Sequence, residues 1–301
     1  MSEIEPLSIN QRDKINGVFK AENSRSADFC FGNYYMWDKR FKQYVTLVGG
    51  RLVTRLTRQR QTYFAFPVGI GDIAPAMEFM TEYCKEHGIA LKLCGICREH
   101  LPLLGSAFEI SPDRDFSDYI YPIDALSTYA GKHLHGKKNF CNRFEKEHEW
   151  HFEPMTAENL PECRNMLEQW HLAEDMRLDD SIRHEDIALQ RGFEHFEALG
   201  LEGGVLYADG KIIGFSIGER LNDDTFCVHF EKAFSDIAGA YPMVCREMAK
   251  LIKAKYPDIC YVNREDDMGS EALRKSKLSY KPEYILEKYT AIWKTGATEL
   301  G

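Results

Sequence analysis

The sequence predicts a mixed α/β protein built from two domains. The chain has 301 residues, which is too long for one ordinary core and close to the length of two domains of ~150 residues each. Hydrophobic residues make up 44% and charged residues 28% of the chain, as is usual for globular proteins. Helix and strand patterns also follow a similar order in the two halves. We place the boundary beside Pro122, which gives domains at residues 1–121 and 122–301.

The first half shows strand and helix patterns in a regular order. Gly49-Gly50 separates two extended runs, as is typical of a β-hairpin. Apolar residues recur at helical spacing until Gly88, and glycine commonly follows the end of a helix. We predict helices at 8–21 and 73–87, and strands at 44–48, 51–55, 63–68 and 90–94.

The second half begins with a long polar and basic stretch, 126–147, which we predict to be one helix. The turn Asp209-Gly210 separates two further extended runs, and Pro242 suits the first turn of a helix. The other predicted elements are helices at 161–173, 182–199, 242–255 and 271–277, and strands at 204–208, 212–219, 225–231, 259–263 and 284–289.

The net charge and the cysteine content of the chain indicate the cellular environment in which the protein works. The net charge of −9 argues against general, charge-driven binding to DNA, to other nucleic acids or to anionic lipid. The nine cysteines are odd in number and lie mostly in apolar stretches, as reduced and buried thiols do. No run approaches the ~18 apolar residues of a membrane span, and residues 1–10 contain no apolar signal region. We therefore expect a cytoplasmic protein without a membrane span.

A single Cys-x-x-Cys pair, Cys94 and Cys97, is the most metal-like pattern in the chain. A structural zinc site needs four ligands, and this pair has no second pair or nearby histidine to complete one. We interpret it as two buried thiols and expect no metal site.

Three segments carry a resemblance to a known family: 132–144 (KHLHGKKNFCNRF), 229–241 (HFEKAFSDIAGAY) and 261–288 (YVNREDDMGSEALRKSKLSYKPEYILEK). They resemble an uncharacterised bacterial family that is related to the C-terminal domain of phosphatidylglycerol lysyltransferase and akin to the Fem-type aminoacyltransferases. The resemblance covers most of residues 120–290. It implies two tandem GNAT-like domains, each a mixed sheet flanked by helices. It also implies transfer of an acyl or aminoacyl group from a small-molecule or tRNA-linked donor to an amine or hydroxyl acceptor.

The resemblance implies a phosphate-binding loop before the helix at 242–255. Gly239, Ala240 and Tyr241 lie at this helix start, where backbone N–H groups and the helix dipole favour anions. Coenzyme A or an acyl-CoA is the cofactor that this loop would hold. The usual loop has a basic or amide residue and two close glycines, whereas this one has one glycine and Asp236. A plain strand-to-helix turn that needs Gly239 for a positive φ explains it equally well.

A basic stretch stands out in this acidic chain. Lys137 and Lys138 could neutralise a phosphate, and Arg143 could hold one through two parallel N–H bonds. A solvated helix face, balanced by nearby glutamates, is the alternative interpretation.

Polar residues at two strand ends are the candidate catalytic residues. Glu231 ends the strand before the predicted phosphate loop, and Asn263 and Glu265 follow the next strand. We expect Glu231 to act as general base, Asn263 to position the donor, and Glu265 to hold a cationic acceptor, with all three around one cavity. The alternative interpretation is that these polar residues at strand ends only cap the local backbone.

The donor and the activity remain open between three possibilities. Many GNAT enzymes use a tyrosine in the short penultimate helix to protonate the coenzyme A thiolate, and that position falls at Lys275 here. An aminoacyl-tRNA donor, whose leaving group is a ribose hydroxyl, fits this departure, although a tRNA-binding protein usually has a broad basic face. The third possibility is a catalytically degenerate GNAT-like protein that binds a small molecule or a partner.

Overall fold

A computed structural model describes residues 4–173 and 180–294 of the chain. Its contacts divide these residues into two compact units. The first unit contains residues 4–118, 266–269 and 286–294, and the second contains the described residues of 119–265 together with 270–285. Each unit is built around its own sheet.

The strands in this part of the chain are β1 (Glu5–Pro6), β2 (Tyr44–Val48), β3 (Arg51–Arg58), β4 (Gln61–Ala65), β5 (Val68–Gly69), β6 (Lys92–Cys97), β7 (Phe108–Pro112), β8 (Asp118–Pro122), β9 (Trp150–Pro154), β10 (Glu202–Ala208), β11 (Lys211–Arg220), β12 (Thr225–Ala233), β13 (Tyr261–Asn263), β14 (Tyr284–Leu286) and β15 (Lys288–Trp293). The helices are α1 (Arg12–Glu22), α2 (Phe31–Phe41), α3 (Ala74–Glu86), α4 (Ile123–Thr128), α5 (His135–Glu147), α6 (Leu160–Ala173), α7 (Asp180–Glu194), α8 (Phe196–Leu199), α9 (Ala240–Lys255) and α10 (Glu271–Ser279).

The first sheet has the strand order β1-β2-β3-β4-β6-β15-β7, with β5 paired to β3. The hairpin of β2 and β3 turns at Gly49 and Gly50, whose φ angles of 59° and 83° are costly for residues with a side chain. The predicted hairpin is therefore confirmed, as is the predicted helix at α3. Because β4 and β6 are parallel while the other pairs are antiparallel, the sheet is mixed.

The second sheet has the strand order β14-β8-β13-β12-β11-β10-β9. Strands β12 and β13 are parallel, and the pairs β11·β12, β10·β11 and β9·β10 are antiparallel. Helix α9 packs on β10, β11 and β12. Two mixed sheets flanked by helices confirm the predicted fold class.

Helix α9 supplies much of the second core. Its buried residues Met243, Val244, Met248 and Ile252 recur at the spacing of one helical face. Each of these side chains contributes about 1.5–3 kcal/mol when it is removed from water. This packing holds α9 against the strands that carry the candidate site.

Four elements that the sequence predicts as continuous are divided in the structure. The helix predicted at 182–199 is α7 and α8, and the strand predicted at 63–68 is β4 and β5. The stretch predicted as one helix over 126–147 is two helices, α4 and α5, because Tyr129 takes a left-handed conformation (φ 47°) and Gly131 follows with a φ of 92°. The strand predicted at 284–289 is two strands, β14 and β15, which belong to different sheets.

The two compact units are not two consecutive segments of the chain, because each contains more than one stretch of sequence. The predicted boundary at 121/122 falls at the end of β8, whereas residues 266–269 and 286–294 cluster with the first unit. The two GNAT-like domains at 1–121 and 122–301 stay a prediction.

No helix within the described ranges is both long enough and apolar enough to cross a lipid bilayer.

Candidate active site

Strand β12 extends well past its parallel neighbour β13. The two strands pair only at their first three residues, from Thr225 with Tyr261 to Cys227 with Asn263. Beyond that point β12 continues to Ala233 while still paired to β11. An opening therefore forms between β12 and the chain after β13, and side chains at these strand ends meet across it.

A β-bulge in β12 decides which side chains face this opening. Ile217 pairs with Phe230 and Gly218 pairs with Val228, so His229 is an extra residue on β12. A bulge shifts the alternation of side chains by one position. Val228 and Glu231 accordingly line the same small cavity of about 10 Å³, close to the smallest space that holds one water molecule.

Glu231 forms a buried ion pair with Arg264 in this opening. The Nη2 atom of Arg264 donates to Oε1 of Glu231 at 2.8 Å, and the two side chains are only 11% and 10% exposed. The guanidinium also lies 4.5 Å from the ring centre of Tyr280. The ammonium of Lys137 lies 3.8 Å from that same centre. We call Glu231, Arg264, Lys137 and Tyr280 the Glu231 cluster.

Burial and neighbouring charges shift the pKa values of two members of the Glu231 cluster in opposite directions. Burial raises the pKa of the Glu231 carboxyl, although the positive charges of Arg264, Lys277 and Lys137 act in the opposite direction. Burial and the neighbouring charge of Arg264 lower the pKa of Lys137. A carboxylate with a raised pKa is a better general base, and surplus positive charge beside it suits an anionic ligand.

Glu265 belongs to a different set of contacts. Its Oε1 lies 2.7 Å from Nδ1 of His229, while Nε2 of His229 lies 3.0 Å from Oε1 of Glu219. The imidazole is fully buried between these two carboxylates. Glu265 has a φ of 55°, and the side-chain oxygen of the buried Asn263 accepts its backbone N–H at 2.6 Å. Asn263 therefore stabilises the strained turn that directs Arg264 and Glu265 to their separate partners.

The three predicted catalytic residues thus lie at neighbouring strand ends, in separate sets of contacts. Glu231 pairs with Arg264, Glu265 pairs with His229, and Asn263 holds the turn between Arg264 and Glu265. Their common cavity and their catalytic roles stay a prediction.

The predicted phosphate loop offers few backbone donors. The N–H of Ala240 donates to Ile237, the N–H of Met243 donates to Gly239, and Pro242 has no N–H. Gly239 has a φ of 95°, and a Cβ atom there would lie 2.7 Å from the backbone oxygen of Phe140. Close packing against α5 therefore explains this glycine, and binding of coenzyme A at Gly239, Ala240 and Tyr241 stays untested.

The predicted basic residues are placed in different surroundings. Lys137 is half-buried over Tyr280, as described above. Lys138 is exposed, and Arg143 is exposed and paired with Glu147 one helical turn away. Of these three residues, only Lys137 has surroundings that suit a residue that binds an anion.

Sequence reasoning gave no role to Arg264, whereas Tyr280 was expected to line the site. Arg264 lies in the polar run after β13, and the interpretation of that run was based on the carboxylates that follow it. Tyr280 directly follows α10 and is buried, whereas Lys275, at the position predicted for a catalytic tyrosine, is exposed. An arginine at a strand end, directly before three acidic residues, was the available signal.

Comparison with known proteins places these features in a family. Residues 20–292 match the family described as phosphatidylglycerol lysyltransferase, C-terminal. A conserved protein of unknown function from Bacteroides thetaiotaomicron is 33% identical, with a TM-score of 0.91 over 98% of this chain and 100% of that one. L-PGS from Bacillus licheniformis is 14% identical, with a TM-score of 0.65 over 98% of this chain and 94% of that one.

Two further structures share the fold at low identity. A tandem GNAT protein from the clavulanic acid biosynthesis pathway is 11% identical (TM-score 0.51, 99% of this chain and 100% of that one). FemX is 10% identical (TM-score 0.61, 96% of each chain). These likenesses confirm the GNAT-like fold. An uncharacterized protein of Mycoplasmoides gallisepticum is 29% identical over 177 residues, which span 58% of this chain and about half, 55%, of that relative.

Proposed function

The chain belongs to the family of phosphatidylglycerol lysyltransferase C-terminal domains, and we propose that it transfers an aminoacyl group from an ester-linked donor to an amine or hydroxyl acceptor. The observation that carries this proposal is the buried Glu231, whose pKa is raised by burial at the opening between β12 and β13. Acyl transfer needs a base to deprotonate the acceptor and positive charge to stabilise the oxyanion.

Glu231 is the proposed general base. As the acceptor attacks the donor carbonyl carbon, its N–H or O–H proton passes to the Glu231 carboxylate. The ester C–O bond then breaks, and the leaving oxygen takes the proton from Glu231. Arg264 keeps the carboxylate in place, and Lys137 stabilises negative charge on the donor. Asn263 and Glu265 support this site by fixing the turn that carries Arg264.

The helix start of α9 favours a charged tRNA over an acyl-CoA as donor. A pyrophosphate needs several backbone N–H groups, and those of Ala240 and Met243 are already used within the protein. An ester donor with a ribose leaving group also removes the need for a thiolate acid at Lys275.

A binding protein without catalysis is the second candidate. The observation that favours it is the 2.8 Å contact between Arg264 and Glu231, which competes with proton acceptance by the carboxylate. Such a protein would bind a donor without consuming it.

Transfer assays separate these possibilities. We would incubate the full chain with pools of radiolabelled aminoacyl-tRNA, or with acetyl-CoA, and with mixed amine and hydroxyl acceptors. We expect loss of label from tRNA that depends on acceptor, and a drop of about 100-fold in rate for Glu231→Gln, as for loss of a general base. Glu168→Gln, on the exposed face of α6, is the matched control.

Binding without turnover would support the degenerate candidate instead. Turnover of acetyl-CoA with no turnover of charged tRNA would contradict the proposed donor. Full activity in Glu231→Gln would contradict the proposed base.

A further inference from the structure

The first unit contains a cavity of its own, of about 100 Å³. Aromatic side chains and charged groups line it together. Its lining includes Asp28, Asn33, Trp37, Gln43, Arg58 and Lys288. A concave apolar site with a few polar groups is the usual form of a small-molecule site.

The four charged residues that line this cavity, together with Asp118, which contacts Lys288, leave an excess of one negative charge. Lys288 is 2% exposed, and its Nζ lies 3.0 Å from Asp28 and 2.9 Å from Asp118. Arg58 pairs with Asp113 through two hydrogen bonds. The two cations therefore face three carboxylates. Asp28 is 38% exposed, so a ligand has access to this carboxylate.

A further cation at this cavity would stabilise the charged form of the Asp28 carboxyl. Burial raises the pKa of its carboxyl, the charge of Lys288 opposes that rise, and Asp118 adds to it. A carboxylate in this position is stabilised by a further positive charge.

Two amide side chains are held with their oxygens available as acceptors. The Nδ2 atom of Asn33 donates to the backbone oxygen of Ala27 at 2.8 Å. The Nε2 atom of Gln43 donates to the backbone oxygen of Tyr34 at 2.6 Å. Because a backbone oxygen only accepts, the amide nitrogen must be the contacting atom in each case. Each amide therefore keeps its oxygen as an acceptor, next to the second N–H of its nitrogen.

Aromatic side chains form the apolar part of the wall. Tyr34, Trp37, Phe41 and Phe116 line the cavity. The Arg58 guanidinium already lies 3.8 Å from the ring centre of Phe116. Aromatic faces beside a carboxylate are a common environment for organic cations.

We propose that this cavity binds a primary ammonium that carries a short apolar chain. The ammonium would donate its N–H groups to the carboxylate of Asp28 and to the amide oxygens of Asn33 and Gln43. The apolar chain would pack against the aromatic wall at Trp37. A cavity of 150 Å³ holds benzene, so one of about 100 Å³ accommodates about four heavy atoms of the chain, while the ammonium lies at the partly exposed Asp28 carboxylate. This site is separate from the proposed transfer chemistry.

Calorimetry with matched ligands on the full wild-type chain tests the proposal. Butylammonium, butanol and butyrate share a chain length and differ in the charge of the head group. We expect butylammonium to bind at millimolar concentration, butanol to bind at least about tenfold more weakly, and butyrate not to bind. Equal binding of butyrate or butanol, or no binding of butylammonium, overturns the proposal. These ligand arms need no variant to fold.

Variants then locate the site. Asp28→Asn keeps the shape of the side chain and removes its charge, and we expect about tenfold weaker binding of butylammonium. Trp37→Leu removes an aromatic face and should also weaken binding. Asp13→Asn changes a fully exposed carboxylate by the same charge and should bind as wild type does. Unchanged affinity in Asp28→Asn, or an equal loss in Asp13→Asn, overturns the site.

Discussion

Arg264 donates a hydrogen bond to the Glu231 carboxylate across 2.8 Å, and this contact joins the ends of two neighbouring strands. Both side chains are about nine-tenths buried. A buried ion pair adds little net stability, yet loss of one partner leaves a buried charge without compensation.

We expect Arg264→Met to destabilise the chain by about 3 kcal/mol, because it leaves the Glu231 charge buried without its partner. The double variant Glu231→Leu with Arg264→Met should recover more than half of that loss, since both charges are then absent. Urea unfolding measures both values. Arg143→Met removes an exposed partner of Glu147 and should cost less than about 0.5 kcal/mol. A double variant no more stable than Arg264→Met would show that the pair is not the cause.

The raised pKa of Glu231 predicts a pH dependence of stability. An acid that holds its proton more tightly when folded loses stability as the pH rises from its unfolded pKa, near 4.5, through its raised folded pKa. The stability of wild type relative to Glu231→Gln should therefore fall as the pH increases above that value and then level off. Urea unfolding of both proteins over a pH series gives the difference. A difference that rises with pH would mean that the folded pKa is lowered.

Gly239 should matter for packing irrespective of any ligand. Gly239→Ala places a Cβ atom 2.7 Å from the Phe140 oxygen and requires a φ of 95°, so we expect a loss of about 2 kcal/mol or more. Gly136→Ala is the matched control, because a Cβ there meets nothing within 4 Å and alanine favours a helix by about 0.5–1 kcal/mol. Thermal melting compares the two. A stable Gly239→Ala variant would contradict the packing role.

A titration with coenzyme A addresses the ligand role of the same loop. The sequence predicts binding there, whereas the amides of Ala240 and Met243, which already donate to the oxygens of Ile237 and Gly239, argue for weak binding. Equal affinity in wild type and Gly239→Glu would count against a site at this helix start.

Lys288 should stabilise the first unit through its two carboxylate partners. Burial alone would lower the pKa of Lys288, but Asp118 and Asp28 outweigh burial and raise it well above its usual value of 10.5. A base whose pKa rises on folding contributes stability that is complete below its unfolded pKa and is lost as the pH increases through the folded one. We expect Lys288→Met to cost about 3 kcal/mol near neutral pH and less above ~10.5.

Denaturant unfolding at neutral and strongly alkaline pH checks this expectation. Lys85→Met, on the exposed side of α3, serves as control and should stay near wild type at both values. A cost for Lys288→Met that grows in alkali would contradict the assignment.

Local signals predicted much of the fold. The β2–β3 hairpin follows from Gly49-Gly50, and α3 follows from apolar periodicity before Gly88, since both depend on residues close in sequence. The break between α4 and α5 was missed because Tyr129, which takes the left-handed conformation, is not a residue that usually does so.

The site was predictable only in part. The strand ends that carry Glu231 and Asn263 could be located from the strand and helix order. The side-chain partner of Glu231 could not be predicted. The bulge at His229 changes which face of the sheet the later residues of β12 point to, and a single sequence contains no signal for such a bulge. The contact of Arg264 with Glu231 depends on that shift.

Strand β15 has a consequence for the order in which the chain acquires structure during synthesis. It lies between β6 and β7, and its residue Lys288 forms ion pairs with Asp28 and Asp118. A ribosome produces β6 and β7 about 180 residues before it produces Lys288, and at 5–20 residues per second this interval lasts about 10–40 s. Throughout that time the first sheet lacks its inner strand, and the edges of β6 and β7 that β15 will pair with stay open. The residues that complete the second sheet emerge earlier, so the nascent chain can finish its second unit before its first.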